Sequence, residues 1–354
     1  MDGRRWAGQP SQSSTRPYYP AGGATSHSIS GQDHRVHAWQ PWRSEDGMEL
    51  NENAEIDTSQ VEDARGSGGG GGGIGGLPIG GGGLTGIIVT VLLALVGGYF
   101  GINNLGGGSG SSSSDNAAIE SECKQSDATK QMDCRNVLYV NSIQAYWATE
   151  LPKAFGKQYE KATTKIFSNR VSTGCGAADS GVGPFYCPAD NKVYIDLTFY
   201  QQLAKELGAP GEFAQPYVLA HEYGHHVQDL LGTEAKMRQA QNSNPDQANL
   251  ESVKLELQAD CYAGAWAKGA TSTTDAKGQK IFKSLTATDI QEGIQTAGQI
   301  GDDTLQQRGG GTINPAEFTH GTSADRQKWF STGYNSGDPK QCDTFAPGAV
   351  KEGD

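Results

Sequence analysis

Apolar positions recur at helical spacing along much of the chain's second half. Between Cys134 and Phe155 they share one face, at Val137, Val140, Ile143 and Trp147, which predicts an amphipathic helix. A second helix is predicted from Phe213 to Leu231, with Pro216 in the first turn, where its missing N–H costs nothing, and Gly232 just past the end. Pro245 to Lys268 reads as a third, with Asn244 placed to cap it, and Thr288 to Ile300 and Ser323 to Tyr334 complete the helical set. Two stretches read instead as strands, Lys165 to Val171 and Lys192 to Leu197. In the second, Val193, Ile195 and Leu197 alternate with Tyr194 and Asp196. No internal repeat is visible. The pattern predicts an α+β domain over residues 117–354, mostly helical, with a small sheet between its first helix and its central ones.

The first third of the chain reads differently. Residues 1–65 are polar and sustain no apolar period, so they are expected to be a disordered segment. Residues 66–83 form a Gly-rich linker and residues 106–116 a Gly/Ser spacer. Between these lies an apolar stretch, 84–105. Its core, Leu84 to Ile102, holds no charge, and 19 residues of helix span about 28 Å, close to the thickness of a bilayer's hydrocarbon. A buried core helix would need partners that Gly-rich flanks do not supply, and a cleaved signal peptide would be shorter and nearer the N-terminus. One transmembrane helix is therefore expected. Arg4, Arg5, Arg16, Arg35, Arg43 and Arg65 precede it and no Lys or Arg follows until Lys124, which puts the N-terminus in the cytoplasm and the folded domain outside.

Composition changes this picture in three places. The 50 glycines and the 35% hydrophobic content suggest a weak core until the glycine is seen to concentrate between Gly66 and Gly110. The formal charge of -12 argues against nucleic acid as a partner, since phosphate binding needs clustered cations. The six cysteines all follow the apolar stretch, and none forms a C-x-x-C pair. An even number on one side of a membrane suggests disulfides in an oxidising compartment. Cys123 with Cys134 and Cys175 with Cys187 are natural local pairs, leaving Cys261 with Cys342; free buried thiols are the alternative.

The candidate chemistry sits in the second predicted helix. His221-Glu222-Tyr223-Gly224-His225 is an H-E-x-x-H string. Residues four apart on a helix face the same side, so both imidazoles can reach one Zn²⁺, while Glu222 is rotated aside to act as base on a water that the metal activates. Surface histidines on an amphipathic helix are the bland alternative. Tyr217, Val218, Leu219, Ala220 and Val227 make this helix apolar on most sides, so its polar groups need a partner. A catalytic zinc takes three protein ligands. On the third predicted helix, Glu256 and Asp260 share a face away from the packing stripe of Leu250, Val253, Leu257, Cys261 and Gly264. Glu256 is expected as the third ligand, and Asp260 as acceptor from a ligand histidine. Taken alone, the two acids would read as a solvated helix face. His320, in a turn leading into a helix, reads either as a donor to a reaction's oxyanion or as a locally bonded helix-entry residue. His226 points about 100° from His225 and is expected to be structural.

With these strings the chain resembles the gluzincin type of zincin, and more closely the bacterial neutral zinc metallopeptidase family, the YpfJ-like proteins. The matching strings are Gly183 to Pro188 (GPFYCP), His221 to Gln228 (HEYGHHVQ), Leu255 to Cys261 (LELQADC), Ile300 to Asp303 (IGDD), Thr319 to Ser323 (THGTS) and Cys342 to Phe345 (CDTF), with an N-terminal signature at Ser59 to Gly66. The resemblance covers about residues 48–354. It implies a zincin-like peptidase domain outside a single membrane helix, with one zinc on His221 and His225 and Glu222 as catalytic base. The third ligand, Glu256, rests on spacing and on the likeness to gluzincins. The resemblance further implies substrate binding along an edge strand before the motif helix, for which Val193 to Leu197 is the candidate. The first 47 residues depart from the family pattern, so Met48 is an alternative start. The expectation is a membrane-anchored zinc endopeptidase of the bacterial inner membrane, acting on polypeptides. A membrane-tethered zinc-binding adaptor and a zinc hydrolase of a cell-wall amide are the alternatives.

Overall fold

Long apolar periods give long helices and short runs give short strands in the computed structural model, which describes residues 47–65, 116–125 and 127–351. In chain order the main elements are β1 (Glu49–Leu50), β2 (Val61–Asp63), α1 (Ala117–Glu122), α2 (Met132–Phe155), β3 (Thr163–Ile166), β4 (Arg170–Thr173), β5 (Gly176–Asp179), β6 (Phe185–Cys187) and β7 (Lys192–Ile195). There follow α3 (Phe199–Lys205), α4 (Ala214–Leu231), α5 (Thr233–Ser243), α6 (Ala248–Gly269), β8 (Phe282–Ser284), α7 (Ala287–Gln299), α8 (Asp302–Arg308) and α9 (Ser323–Ser336). The fold class is α+β and mostly helical, with small sheets.

The helical core is built around α6, which packs chiefly on α9 and α4. Small residues set the spacing. A Cβ on Gly224 of α4 would lie 3.0 Å from the Ala259 Cα of α6. Between α6 and α9 the backbones come closer still: a Cβ on Gly264 would lie 2.0 Å from the Phe330 carbonyl oxygen, and one on Gly333 1.8 Å from that of Cys261. Gly232 ends α4 at φ +72°, a left-handed cap that favours glycine.

The main sheet runs β2-β3-β7-β6, with β2, β3 and β7 parallel and β6 antiparallel to β7. The expected strand from Lys165 to Val171 is divided, because Asn169 turns left-handed at φ 65°. Its ends fall in β3 and in the β4–β5 hairpin. The six cysteines pair as Cys123–Cys134, Cys175–Cys187 and Cys261–Cys342, and the second bond ties the β4–β5 turn to β6. Asn244 makes no side-chain cap; a short 3-10 turn at Pro245–Gln247 leads in, and α6 begins at Ala248.

The N-terminal segment requires the largest correction. Residues 47–65 are not a disordered part of a 1–65 segment, nor does the domain begin at 117. β1 pairs with β8 and β2 extends the main sheet beside β3. Arg65 makes two hydrogen bonds to Asp133, at 2.9 and 2.7 Å. Asn116 completes the join by accepting from the Asp63 amide at 2.9 Å and donating to the Val61 carbonyl at 2.7 Å. Strands of two or three residues carry no readable period, and long-range pairing is what orders them. Residues 1–46, the 66–83 linker, the expected membrane helix at 84–105 and all of the 106–116 spacer except Asn116 lie outside the described residues. Among the described residues, no helix is long and apolar enough to cross a membrane.

Candidate metal centre

Helices α4 and α6 cross at Gly224 and Ala259, and that close approach brings their polar faces together. His221, His225 and Glu256 each offer one atom to a group in which all lie within 4.8 Å of one another. The His221 Nε2 is 3.1 Å from Glu256 Oε2, and the His225 Nε2 is 3.5 Å from Glu256 Oε1. All three are buried.

What surrounds the imidazoles decides which nitrogen is available. His221 Nδ1 lies 2.8 Å from Asp260 Oδ1, a carboxylate that accepts, so this nitrogen carries the proton. His225 Nδ1 lies 2.8 Å from Gln228 Oε1. The amide orientation of Gln228 is fixed in turn, because its Nε2 donates to the Leu255 carbonyl at 2.7 Å and to Gln258 Oε1 at 3.1 Å. Gln258 is held by its own donation to the Cys342 carbonyl at 2.9 Å. With both Nδ1 atoms bonded outward, the two Nε2 atoms are the ones that face Glu256. Two nitrogens and a carboxylate, with protons assigned away from the centre, fit a zinc donor set.

Asp260 is fully buried and carries more than His221. It accepts from the Tyr217 hydroxyl at 2.6 Å and from Arg326 at 2.8 Å on Oδ2 and 3.1 Å on Oδ1. Burial alone would raise its pKa; Arg326 and His221 outweigh that and hold it at about 2. Burial likewise works against a charged His221, but Asp260 and Glu256 raise it to about 10 when no ion competes. Glu256 is held well below the usual carboxylate range against its burial, by His225, His320 and His221.

Glu222 is buried beside the three. Burial pushes its carboxyl up, while His221, His225 and a hydrogen bond from the Tyr186 backbone amide work the other way. That amide belongs to β6, whose far side has no strand beside it among the described residues. The expected substrate strand, Val193 to Leu197, is corrected here. Its ordered part, β7, is bonded on both sides, so β6 is the edge on this side of the sheet.

His320 stands outside the group of three but close enough for its charge to act on Glu256. Its Nδ1 is 3.4 Å from Asp302 Oδ1. Asp302 Oδ2 fixes the turn by accepting the amides of Thr319, His320 and Gly321 at 2.7, 2.7 and 3.1 Å. His226 points away: its Nε2 donates to the Glu160 carbonyl at 2.7 Å, and its Nδ1 meets the Tyr186 hydroxyl at 3.1 Å.

Sequence reasoning gave no role to Arg326, Asp302, Tyr217, Gln228 or Gln258. Asp302, Gln228 and Gln258 lie inside the strings that carried the resemblance, and for Gln228 its place three residues past a ligand histidine on the same helix was the available signal.

Over residues 50–345 the chain matches the family described as "Putative neutral zinc metallopeptidase". The "Uncharacterized protein YpfJ" of Escherichia coli K12 is 41% identical over 293 residues, covering 82% of this chain and 96% of the relative. The "Uncharacterized protein Mb2605" of Mycobacterium bovis is 44% identical over 229 residues, covering 64% of this chain and 75% of the relative. No solved structure matches the chain. Since the match takes in strands, motif helix and C-terminal disulfide alike, the chain belongs to this neutral zinc metallopeptidase family.

Proposed function

We propose that the protein is a zinc-dependent endopeptidase, associated with a bacterial membrane through the apolar stretch 84–105, that hydrolyses polypeptides in an oxidising compartment. His221, His225 and Glu256 hold the ion, and Asp260 fixes His221. A zinc bound there supplies Lewis acidity, polarising the scissile carbonyl and bringing the pKa of water down to about 7. Glu222 takes the proton from the attacking water and delivers it to the leaving amine. His320, oriented by Asp302, donates to the oxygen on which charge develops. The far side of β6 receives the substrate backbone as an added strand, next to the Glu222 that its Tyr186 amide contacts.

The observation that carries this reading is Glu222. A structural zinc site has no use for a further buried carboxylate that stands beside the ligand group without joining it. The test compares full-length wild type with Glu222→Gln, measuring bound zinc and cleavage of casein. Equal zinc in both with cleavage in the wild type alone is expected. Equal cleavage by the two would remove Glu222 from the mechanism, and absence of zinc in both would remove the metal site.

A further inference from the structure

The two strands that precede the apolar stretch in sequence pair with strands that follow it. Leu50 of β1 lies opposite Phe282 of β8, and Val61, Glu62 and Asp63 of β2 lie opposite Thr164, Lys165 and Ile166 of β3. The join is part of the core: Met48, Leu50 and Val61 are buried. It is also specific. Glu62 bridges Lys165 at 2.9 Å and Lys192 at 2.6 Å, on two adjacent strands. Asn141 accepts from the Asp57 amide at 2.9 Å and donates to the Asp57 carbonyl at 3.0 Å.

A helix that crosses a bilayer once delivers its ends to opposite faces, about 30 Å of hydrocarbon apart. Backbone pairing cannot be made across that distance. The orientation argument from cations also weakens. Arg65, one of the residues counted as marking a cytoplasmic flank, is bonded to Asp63 and Asp133 inside the fold.

We propose that residues 47–65 and 116–351, which pair strand to strand, fold together in one compartment, on one side of any bilayer. The shared compartment does not depend on the membrane association proposed above. Three disulfides in the same domain make that compartment the oxidising one.

The test places single cysteines at two exposed positions of the full chain, Glu52→Cys and Lys157→Cys, on opposite sides of the apolar stretch in sequence. The six native cysteines are all paired and do not compete. Spheroplasts are treated with a membrane-impermeant maleimide before and after lysis, and the protein is fractionated between membrane and soluble pools. The expected result is one pattern for both positions, with labelling before lysis. Labelling of Lys157→Cys before lysis and of Glu52→Cys only afterwards overturns the proposal in favour of a single crossing. A shared pattern with the protein in the soluble pool upholds the shared compartment and sinks the membrane association instead. A shared pattern seen only after lysis upholds the shared compartment and overturns its oxidising character.

Discussion

Asp260 is the residue on which the most depends, because one buried carboxylate serves a histidine, a tyrosine and an arginine together. Replacing it by asparagine removes the anion that fixes His221 and leaves the Arg326 cation buried without its partner. Loss of such a partner lowers metal affinity by about 10–100-fold, and stranding a buried charge costs about 3–5 kcal/mol. Asp260→Asn should therefore lose both zinc affinity, by competition with a chelating dye, and thermal stability. Gln228→Leu separates the two effects. It frees His225 Nδ1 from its acceptor but strands no charge, so zinc affinity should fall in the same range with a smaller loss of melting temperature. Equal affinity in wild type and Gln228→Leu would mean that the amide does not position the imidazole.

The His221 shift also has a direction that can be measured. Its folded value, about 10 without an ion, lies above the ordinary 6.5. A raised value contributes stability that is complete below 6.5 and is lost as pH rises through about 10. Metal-free protein should thus melt lower near pH 9 than near pH 6.5. Zinc needs the neutral imidazole, so its stabilising increment should grow over the same span. Melts with and without chelator read both slopes. Among these residues, the H-E-x-x-H string and the Glu256–Asp260 pair were legible because each pair lies within one helix, where four-residue spacing dictates a common face. Arg326 and Asp302 were not: Arg326 reaches Asp260 across 66 positions of sequence, through packing that no local period encodes.

At the scale of elements, contact between α6 and α9 controls the position of the carboxylates, since Arg326 comes from one helix and Asp260 from the other. Gly264 and Gly333 permit that contact, and a methyl at either would press on backbone, which cannot swing aside as a long side chain does. Gly333→Ala should cost at least about 1–3 kcal/mol and lower the melting temperature by roughly 5 °C or more. An unchanged melting curve would show that the helices can separate freely. The long helices were readable from sequence because their apolar faces repeat over several turns. The short elements were not. Four-residue β4 carries too few positions to show a period, and α8 is a seven-residue turn of helix with one apolar side chain, Leu305.

At the scale of the whole molecule, a segment far upstream in sequence completes the domain, and the strength of its attachment can be predicted. Met48, Leu50 and Val61 are buried against the rest of the core. At about 1.5–3 kcal/mol for each such side chain, they contribute on the order of 5–9 kcal/mol before any hydrogen bond is counted. The Arg65–Asp133 pair and the strand bonds add to this, while ordering the segment and holding it in place subtract. A dissociation constant near a micromolar is the value that a net balance of about 8 kcal/mol would give, and it is the figure to test. A protease site inserted in the 66–83 linker of the full chain converts that figure into an experiment. After cleavage, the fragment bearing residues 47–65 should stay with the domain through gel filtration at tens of micromolar and separate on dilution below the dissociation constant or in denaturant. Glu62→Lys sets two cations beside a third charge of the same sign, at Lys165 and Lys192, and should release the fragment at higher concentration. Separation of the wild-type fragment from the cleaved domain at every concentration would mean that β2 is held in the sheet only by its covalent link, and the shared compartment would lose its physical basis.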